Sequence, residues 1–305
     1  MVYSGRSEEL VAPLIERFEK ASGLDVDVRY GDSAELAATL LEEGDATPAD
    51  VFFSQDAGAL GALQKEGLLA PLPPTVLRAV DARWRSPRGR WVGVSGRARV
   101  VAYDKRKLRA GELPESIEAF TEPRWKGKIG WAPTNASFQA FVTALRRLRG
   151  EAAAERWLRG VVANDPQRYE NNIAVRDAIA KGEVEVGFIN HYYVAEAIAE
   201  EGPDYPVSVH FTRNGDAGSL VNVAGVGILK EAARNAEARR FVEYLVSRPA
   251  QEFFARETKE YPLAAGVRPD PALVPLARID SPRIDLSDLD DVQGTEKAIE
   301  SSGAL

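Results

Sequence analysis

Apolar and polar residues along the chain follow two alternating periods. Short apolar runs, typical of buried strands, are followed by segments whose apolar residues recur every three to four positions, the period of an amphipathic helix. In the segment 8–22, the side chains of Val11, Leu14 and Phe18 fall on one helical face. Gly23 follows, and glycine is a common residue at the end of a helix. The repeated alternation of strand and helix predicts an α/β fold with largely parallel sheets.

The same pattern gives bounds for the predicted elements. Strands are predicted at 2–4, 24–30, 50–54, 91–103, 128–131, 184–189, 207–211 and 220–229. Helices are predicted at 8–22, 33–43, 138–148, 151–162, 174–181, 193–200 and 231–245.

Two extended stretches, 94–103 and 220–229, are longer than an ordinary strand. Glycines in and beside them would let the backbone bend. They suit a hinge that passes between two lobes, and the alternative is two long strands within one core. The pattern alone leaves both interpretations open.

The composition is that of a large globular protein. The chain has 305 residues, 45% of them apolar and 28% charged, which excludes a disordered, collagen-like or coiled-coil chain and favours two lobes or one large domain. With 39 basic against 46 acidic residues the net charge is −7, so nucleic acid is not expected as a partner. No window reaches the roughly 18 uninterrupted apolar residues of a spanning helix, and we expect no membrane insertion of this chain.

Residue types that most often bind metals or attack substrates are scarce. The chain contains no cysteine, which excludes thiol nucleophiles and thiolate zinc sites, and only two histidines, His191 and His210. No Ser-His-Asp order, phosphate-binding loop or paired-carboxylate motif stands out, so the chain is not expected to be an enzyme. Any bound metal would therefore need oxygen ligands.

Four polar segments each follow a predicted strand and open a predicted helix, the position at which α/β proteins bind ligands. They cover 3–7, 54–56, 133–137 and 190–193. Backbone N–H groups at helix starts favour anions, which makes 5–7 and 135–137 candidate anion sites. The competing interpretation is that their serine and asparagine side chains only cap the helices.

Tyr192 and Tyr193 are adjacent phenols at the start of a predicted helix. They could converge on one ligand only from an irregular backbone, and the alternative is one ring in the core and the other at the surface. A free phenol has a pKa of about 10, so two phenolates near neutral pH require a strongly polarising cation. Ferric iron meets that requirement, whereas calcium and magnesium do not. Two phenolates would leave one positive charge on Fe³⁺, which would attract a small anion.

Seven short motifs occur along nearly the whole chain. They are Val-Tyr-Ser-Gly-Arg at 2–6, Pro-Ala-Asp-Val-Phe-Phe-Ser at 48–54, Ser-Gly-Arg-Ala-Arg-Val-Val-Ala-Tyr-Asp at 95–104, Trp-Lys-Gly-Lys-Ile-Gly at 125–130, Pro-Thr at 133–134, Ile-Asn-His-Tyr-Tyr at 189–193 and Glu-Tyr-Pro-Leu at 260–263. In these motifs and their order the chain resembles the periplasmic ferric-ion-binding proteins of bacterial ABC iron importers, the bacterial-transferrin group. The resemblance implies a type II periplasmic-binding-protein fold, a two-lobed clamshell joined by two hinge strands. Each lobe would be a mixed, mostly parallel sheet flanked by helices.

The resemblance also implies how the lobes are divided and what they do. The N-terminal lobe would comprise 1–99 plus 223–272 and the C-terminal lobe 104–222 plus 273–305, with the hinge near 100–103 and 220–226. The interlobe cleft would capture Fe³⁺ with a synergistic anion such as carbonate, bicarbonate or phosphate and deliver it to an ABC permease. The protein would work as a periplasmic or extracytoplasmic monomer, with its signal segment absent from this chain and lipid anchoring left open.

Two metal ligands are implied directly by the resemblance. Tyr192 and Tyr193 match the iron-ligating tyrosines of the family. The chain departs from the family at its other ligand positions. It has Ser7 at the histidine position, and Gln55 followed by Asp56 at the glutamate position. These three residues are candidates for metal or cleft contacts.

Because the remaining family ligands are missing, exogenous anions and water are expected to complete the coordination. Asn190 matches the family residue that assists the bound anion. The full set of candidate anion-binding residues is Arg6, Asn135, Ala136, Ser137, Asn172 and Asn190.

The alternative function is a receptor of the same fold for a non-iron small anion or organic solute. It follows from the loss of the family's histidine and glutamate, and the tyrosines would then line the site or donate hydrogen bonds. A porphyrin-pathway enzyme that shares the general fold would need a cysteine, which this chain lacks.

Overall fold

The computed structural model describes residues 1–305 and contains ten strands and eleven α-helices. The strands are β1 (Val2–Ser4), β2 (Val28–Tyr30), β3 (Val51–Ser54), β4 (Val92–Asp104), β5 (Ile129–Trp131), β6 (Gln167–Arg168), β7 (Val186–Asn190), β8 (Val207–His210), β9 (Val221–Ile228) and β10 (Tyr261–Pro262). The helices are α1 (Glu8–Ser22), α2 (Ser33–Glu43), α3 (Ala57–Lys65), α4 (Pro74–Ala79), α5 (Ala136–Arg149), α6 (Glu151–Val162), α7 (Asn172–Lys181), α8 (His191–Glu201), α9 (Ala236–Leu245), α10 (Arg248–Arg256) and α11 (Val292–Ser301). The predicted α/β class is confirmed.

The chain forms two compact units, each assembled from separated stretches of sequence. The first unit comprises Met1–Gly96, Asn222–Pro271 and Asp285–Asp290. The second comprises Arg97–Val221, Ala272–Ile284 and Asp291–Leu305. This division differs from the predicted lobes at 285–290, which the prediction places in the C-terminal lobe, and at the boundary residues 97–99, 222 and 272.

The stretch 285–290 joins the first unit because two glycines of α3 let its backbone come close. A Cβ atom on Gly58 would lie 2.3 Å from the carbonyl oxygen of Leu289, and one on Gly61 would lie 2.1 Å from that of Ser287. The indole N–H of Trp91 donates to the Ser287 hydroxyl at 3.1 Å. The hydrophobic pattern carries no trace of this close approach.

In the first unit the strands lie in the order β2-β1-β3-β9-β4, and β10 pairs with β4. β1 is parallel to both β2 and β3, with Tyr3 opposite Arg29 and Phe52. The carboxyl ends of β1 and β3 therefore meet at one edge of the sheet, and the segments after them lead into α1 and α3.

In the second unit the order is β8-β4-β7-β5-β6. β7 is parallel to β5 and antiparallel to β4, so that Arg99 of β4 lies opposite Asn190 at the end of β7. The two long strands β4 and β9 pair antiparallel with their neighbours, as β4 does with β7 and β9 does with β3. Both sheets are thus mixed, as predicted, with antiparallel pairs as frequent as parallel ones among the pairings β1–β2, β1–β3, β5–β6 and β5–β7 (parallel) and β3–β9, β4–β10, β4–β7 and β4–β8 (antiparallel).

The core of the second unit is rich in aromatic rings. Phe138 packs edge to face against Trp131 with ring centroids 5.5 Å apart, and Phe141 packs likewise against Trp157 at 5.3 Å. Phe138 and Phe141 both project from α5. This packing fixes the first turn of α5, whose polar residues belong to the candidate site described below.

The hydrophobic pattern misplaces the start of one helix and misses four others, α3, α4, α10 and α11. The predicted helix 231–245 begins only at Ala236, because the Asn235 side chain caps α9 by accepting hydrogen bonds from its first turn. α3 was not predicted, because it carries two internal glycines, which lower helix propensity. None of the helices has both the length and the apolar content needed to cross a membrane.

Candidate functional site

Tyr192 and Tyr193 lie side by side in the first turn of α8, directly after β7. Their ring centroids are 4.2 Å apart, and the ring planes differ by 34°. Tyr192 is 8% exposed and Tyr193 is half-buried. The backbone here is a regular helix, so the two rings contact each other without the irregular backbone that the sequence analysis made a condition for their convergence on one ligand. Side chains in a helix point toward its N-terminus. Because no helical turn precedes the first turn of α8, nothing lies between the two rings on that side.

His191 shares this turn but faces the protein interior. Its ring is buried, and Nδ1 accepts a hydrogen bond from the backbone N–H of Ala98 at 3.1 Å. The ring stands edge-on to Tyr192 with centroids 5.9 Å apart. The Nδ1 lone pair is therefore already used in a hydrogen bond to the backbone.

Arg99 is the residue of this region that the sequence analysis missed. It lies on β4, is 3% exposed, and hydrogen-bonds through Nη1 to the Ser137 hydroxyl (3.3 Å) and to Oδ1 of Asn190 (3.4 Å). Its Nη2 donates to the carbonyl oxygen of Phe188. All these partners are neutral, and Arg99 forms no ion pair. A signal was present, because a charged residue inside a buried apolar strand is rare unless it has a specific role.

The start of α5 supplies the neutral partners. Asn135 caps the helix, accepting hydrogen bonds through Oδ1 from the backbone N–H of Ser137 (3.1 Å) and from its hydroxyl (2.6 Å). Nδ2 of Asn172, from the first turn of α7, donates to the Asn135 and Ser137 side chains, each at 3.1 Å. We call Arg99, Asn135, Ser137, Asn172 and Asn190 the Arg99 cluster. Ala136, the first residue of α5, lies within this turn but adds no side-chain polar group.

Two atoms of the Arg99 cluster are buried without a hydrogen-bond partner: Nε of Arg99 and Oδ1 of Asn172. Burial lowers the pKa of Arg99 to about 9, while the neighbouring phenol groups of Tyr193 and Tyr192 act in the opposite direction. At neutral pH the guanidinium therefore keeps its charge. A buried cation surrounded only by neutral groups is a favourable place for an anion.

A second buried arginine, Arg6, lies in the first unit at the edge where β1 and β3 end. It is 1% exposed, and its Nη2 forms an ion pair with Oε2 of Glu260 at 2.9 Å. Its Nη1 donates to Oε1 of Gln55 at 2.7 Å. Oε2 of Glu260 also accepts hydrogen bonds from the hydroxyls of Ser95 (2.9 Å) and Thr258 (3.2 Å). Arg6 is thus neither a surface residue nor a cation without a counter-ion.

The other first-unit candidates have local structural roles. Asp56 caps α3 by accepting hydrogen bonds from the backbone N–H groups of Gly58 (2.8 Å) and Ala59 (3.2 Å). Ser7 is exposed at the start of α1 and makes no side-chain cap. The structure brings Arg6 and Gln55 together, whereas the tyrosine pair and the Arg99 cluster belong to the second unit.

Nowhere in the structure do three or more histidine or acidic side chains gather into a group that could hold a metal ion. The oxygen-rich arrangement that remains is the tyrosine pair with the Arg99 cluster beside it. Phenolate oxygens are hard, anionic donors, and the buried guanidinium can hold an anion. Together they can bind a hard cation and an accompanying anion.

Comparisons with known proteins identify the family of this chain. Residues 46–284 match the family model described as bacterial extracellular solute-binding protein. The chain is 33% identical to the major ferric iron-binding protein of Neisseria meningitidis serogroup B over 99% of this chain and 92% of that protein. It is 32% identical to the Fe(3+)-binding periplasmic protein of Serratia marcescens over 99% of this chain and 89% of that protein.

Solved structures give the same result for the fold. Iron-bound HitA from Pseudomonas aeruginosa superposes with a TM-score of 0.91 at 33% identity, covering 99% of this chain and 98% of that one. Trichodesmium IdiA (FutA), in complex with iron and citrate ligands, superposes with a TM-score of 0.86 at 32% identity, with the same coverage. The resemblance carried by the motifs is confirmed, and the chain belongs to the family of bacterial extracellular solute-binding proteins.

Proposed function

We propose that this protein is the substrate-binding component of a bacterial ferric-ion importer, in which Tyr192 and Tyr193 bind Fe³⁺ as phenolates. The observation that carries the proposal is the contact between the two phenol rings, at 4.2 Å, in the unit that also holds the buried, uncompensated Arg99. Relatives named for ferric iron, at 32% to 33% identity over nearly the whole chain, support the choice of metal.

The charges explain why an anion would accompany the metal. Fe³⁺ with two phenolates keeps one positive charge, and Arg99 adds a second one close by. A small oxyanion, carbonate, bicarbonate or phosphate, would balance them by binding to the metal and to the Arg99 cluster. We assign this role to Arg99 in preference to Arg6, because Glu260 already balances Arg6. Gln55, Asp56 and Ser7 stay predictions as further contacts.

Acidification would release the metal. Protons compete with Fe³⁺ for the phenolate oxygens and also neutralise carbonate, so binding is expected to weaken as the pH falls. We further propose that the protein works as an extracytoplasmic monomer and passes Fe³⁺ to an ABC permease, as its family of solute-binding proteins suggests.

The experiment that tests this proposal is a visible-light titration of the apoprotein with ferric citrate in bicarbonate buffer. Charge transfer from a phenolate to Fe³⁺ gives a visible band, which the parent protein is expected to develop. Tyr192→Phe and Tyr193→Phe are each expected to weaken or remove that band. Tyr169→Phe, in the same unit but hydrogen-bonded to Gln167, is the matched control and should leave the band unchanged.

A parent protein that folds but develops no band in bicarbonate or phosphate would refute the ferric assignment. The second candidate, a receptor for a small oxyanion without metal, would then be favoured, because the Arg99 cluster offers a buried cation and neutral hydrogen-bonding groups for an anion. Isothermal titration of the apoprotein with phosphate or bicarbonate would show whether that binding occurs.

A further inference from the structure

A strongly basic stretch of the chain lies in the first unit, between α4 and β4. Residues 78–90 contain five arginines and one acidic residue, Asp81. The arginines are Arg78, Arg83, Arg85, Arg88 and Arg90. The stretch carries a net charge of +4, which leaves −11 for the rest of a chain whose total is −7. We call residues 78–90 the basic segment, and neither the tyrosine pair nor the Arg99 cluster includes any of it.

The backbone of the basic segment is held rigidly. The N–H of Gly89 donates to the carbonyl oxygen of Ser86 at 2.9 Å, closing a turn in which Gly89 has φ = +66°. The N–H of Ser86 donates to the carbonyl oxygen of Trp91 at 3.0 Å, and Arg85 forms a bridge with Val92. The segment is therefore a platform with a fixed backbone, so binding does not have to order its main chain.

Two of the five arginines build this platform, and three present their charge to solvent. Arg90 donates to the carbonyl oxygen of Leu69 at 2.9 Å, and Arg85 donates to that of Leu77. The exposed ones are Arg78, Arg83 and Arg88. Arg78 and Arg88 form no ion pair, and Arg83 pairs only with the exposed Asp81, at 3.3 Å.

Some exposed arginines elsewhere pair with carboxylates, as Arg124 does with Glu122 (3.0 Å) and Arg213 with Glu115 (3.3 Å). Of the three exposed arginines of the basic segment, only Arg83 has such a partner, so the field of Arg78 and Arg88 extends into solvent instead of being cancelled locally. A local positive field on a chain of net charge −7 orients the molecule toward an anionic surface.

The absence of apolar anchors decides what kind of partner fits. Protein interfaces draw most of their affinity from central aromatic or apolar side chains. The two tryptophans of this region, Trp84 and Trp91, are buried, and no large hydrophobic side chain is exposed in the basic segment. Guanidinium groups match phosphate oxygens well and need no shape complementarity to bind a fluid headgroup layer.

We propose that the basic segment is a membrane-contact surface that binds anionic phospholipid headgroups through Arg78, Arg83 and Arg88. Such binding would hold the protein on the membrane that carries its permease, in a defined orientation and without insertion. The proposal rests on the extracytoplasmic role above but not on ferric binding, since the segment contains none of the proposed metal-binding or anion-binding residues.

The test is flotation of the full-length apoprotein with vesicles of phosphatidylglycerol and phosphatidylethanolamine, with phosphatidylcholine vesicles alongside. Binding is expected to the anionic vesicles only and should disappear at about 1 M salt, where the Debye length is only about 3 Å. Each basic residue near an anionic leaflet contributes about 1 kcal/mol, so the triple variant Arg78→Gln, Arg83→Gln, Arg88→Gln should bind about a hundredfold more weakly.

The matched control is the triple variant Arg124→Gln, Arg149→Gln, Arg213→Gln, which removes the same charge from exposed, paired arginines of the second unit. It should retain vesicle binding. The ferric titration is expected to be the same in both triple variants and the parent, so a failure of either proposal is visible separately. Equal binding to neutral vesicles, equal loss in both triple variants, or binding to polyglutamate but not to anionic vesicles would each overturn the membrane proposal.

Discussion

Arg6 and Arg99 are two buried arginines in similar places with opposite electrostatic surroundings. Both are nearly inaccessible to solvent, and both lie beside a strand end that leads into a helix. Arg6 is neutralised by Glu260 within the first unit. Arg99, in the second unit, donates hydrogen bonds only to hydroxyl, amide and carbonyl oxygens, and its guanidinium lies over the rings of Phe138 and Phe141. Arg6 therefore has a counter-ion without a ligand, and Arg99 does not.

The difference separates a structural charge from a binding charge. A buried charge without a counter-ion is costly, so a fold keeps one only where something else compensates it. Glu260 provides that compensation for Arg6. For Arg99 the compensation is proposed to arrive with the cargo, as an oxyanion and two phenolates. An arginine does not by itself indicate a ligand site. The indication is that the arginine is buried and that no carboxylate lies beside it.

The largest expected effect comes from removing the counter-ion of Arg6. Glu260→Gln would leave a buried guanidinium without a carboxylate and is expected to lower the free energy of unfolding by about 3 to 5 kcal/mol. Urea denaturation followed by circular dichroism measures this change. The double variant Arg6→Met, Glu260→Met removes both charges and should recover much of the loss. If Glu260→Gln costs less than about 1 kcal/mol, the ion pair does not have the structural role assigned here.

Removing Arg99 should change anion binding more than it changes stability. Arg99→Met deletes a cation that has no counter-ion, so the apoprotein should change in stability by only about 1 kcal/mol. Binding of bicarbonate or phosphate should fall by about 10- to 100-fold, the value of hydrogen bonds to a charged group. Isothermal titration measures it, with Arg124→Met as a control that keeps full affinity. Unchanged anion affinity in Arg99→Met would remove Arg99 from the site.

Introducing a carboxylate beside Arg99 and another beside Arg6 tests the difference between the two arginines. Asn190→Asp would give Arg99 an internal counter-ion at the atom that now lies 3.4 Å away. It is expected to stabilise the apoprotein by about 1 kcal/mol and to weaken anion binding about tenfold. Gln55→Glu does the same beside Arg6, which already has Glu260, and should therefore change stability little. Thermal unfolding measures the stability of both variants, and anion titration measures their anion affinity. Equal changes in the two variants would contradict the proposed difference between Arg99 and Arg6.

The smallest expected effect concerns a third arginine, Arg146, which is largely buried and pairs with both Glu151 (2.6 Å) and Asp291 (2.7 Å). Its guanidinium lowers the pKa of Asp291. The stabilisation is therefore complete above the ordinary carboxyl pKa of about 3.9 and is lost as the pH falls through the lowered value. Because Asp291 is partly exposed, Asp291→Asn should cost less than about 1 kcal/mol at neutral pH.

Urea denaturation of the parent and Asp291→Asn as a function of pH tests this third case. The two stability curves should differ at neutral pH and converge in acid, once the parent's carboxyl group is protonated. Asparagine can still accept the capping hydrogen bond that Asp291 takes from Gly294, so the α11 cap is a constant in the comparison. If the difference in the free energy of unfolding between the two proteins stays constant down to low pH, the charge pair contributes nothing to stability.

Sequence and structure agree best where the signal is local. The α/β class follows from periodicity, and α1 has its predicted bounds because an apolar stripe and Gly23 define it. Tyr192 and Tyr193 could be found because they are adjacent in sequence and belong to a motif. Their contact in a regular helix was not predictable, since it depends on how both side chains leave the first turn.

The sequence alone determined the fold class, the family and the pair of tyrosines, because periodicity, motif order and adjacency are properties of neighbouring residues. Only the tertiary structure decided which buried arginine has a counter-ion. Arg6 and Glu260 are separated by 254 positions and Arg99 and Asn190 by 91, and no local pattern reports such pairings. Whether a charge is satisfied depends on which groups folding places within a few ångströms of it, and that is set by the packing of the strands and not by their order along the chain.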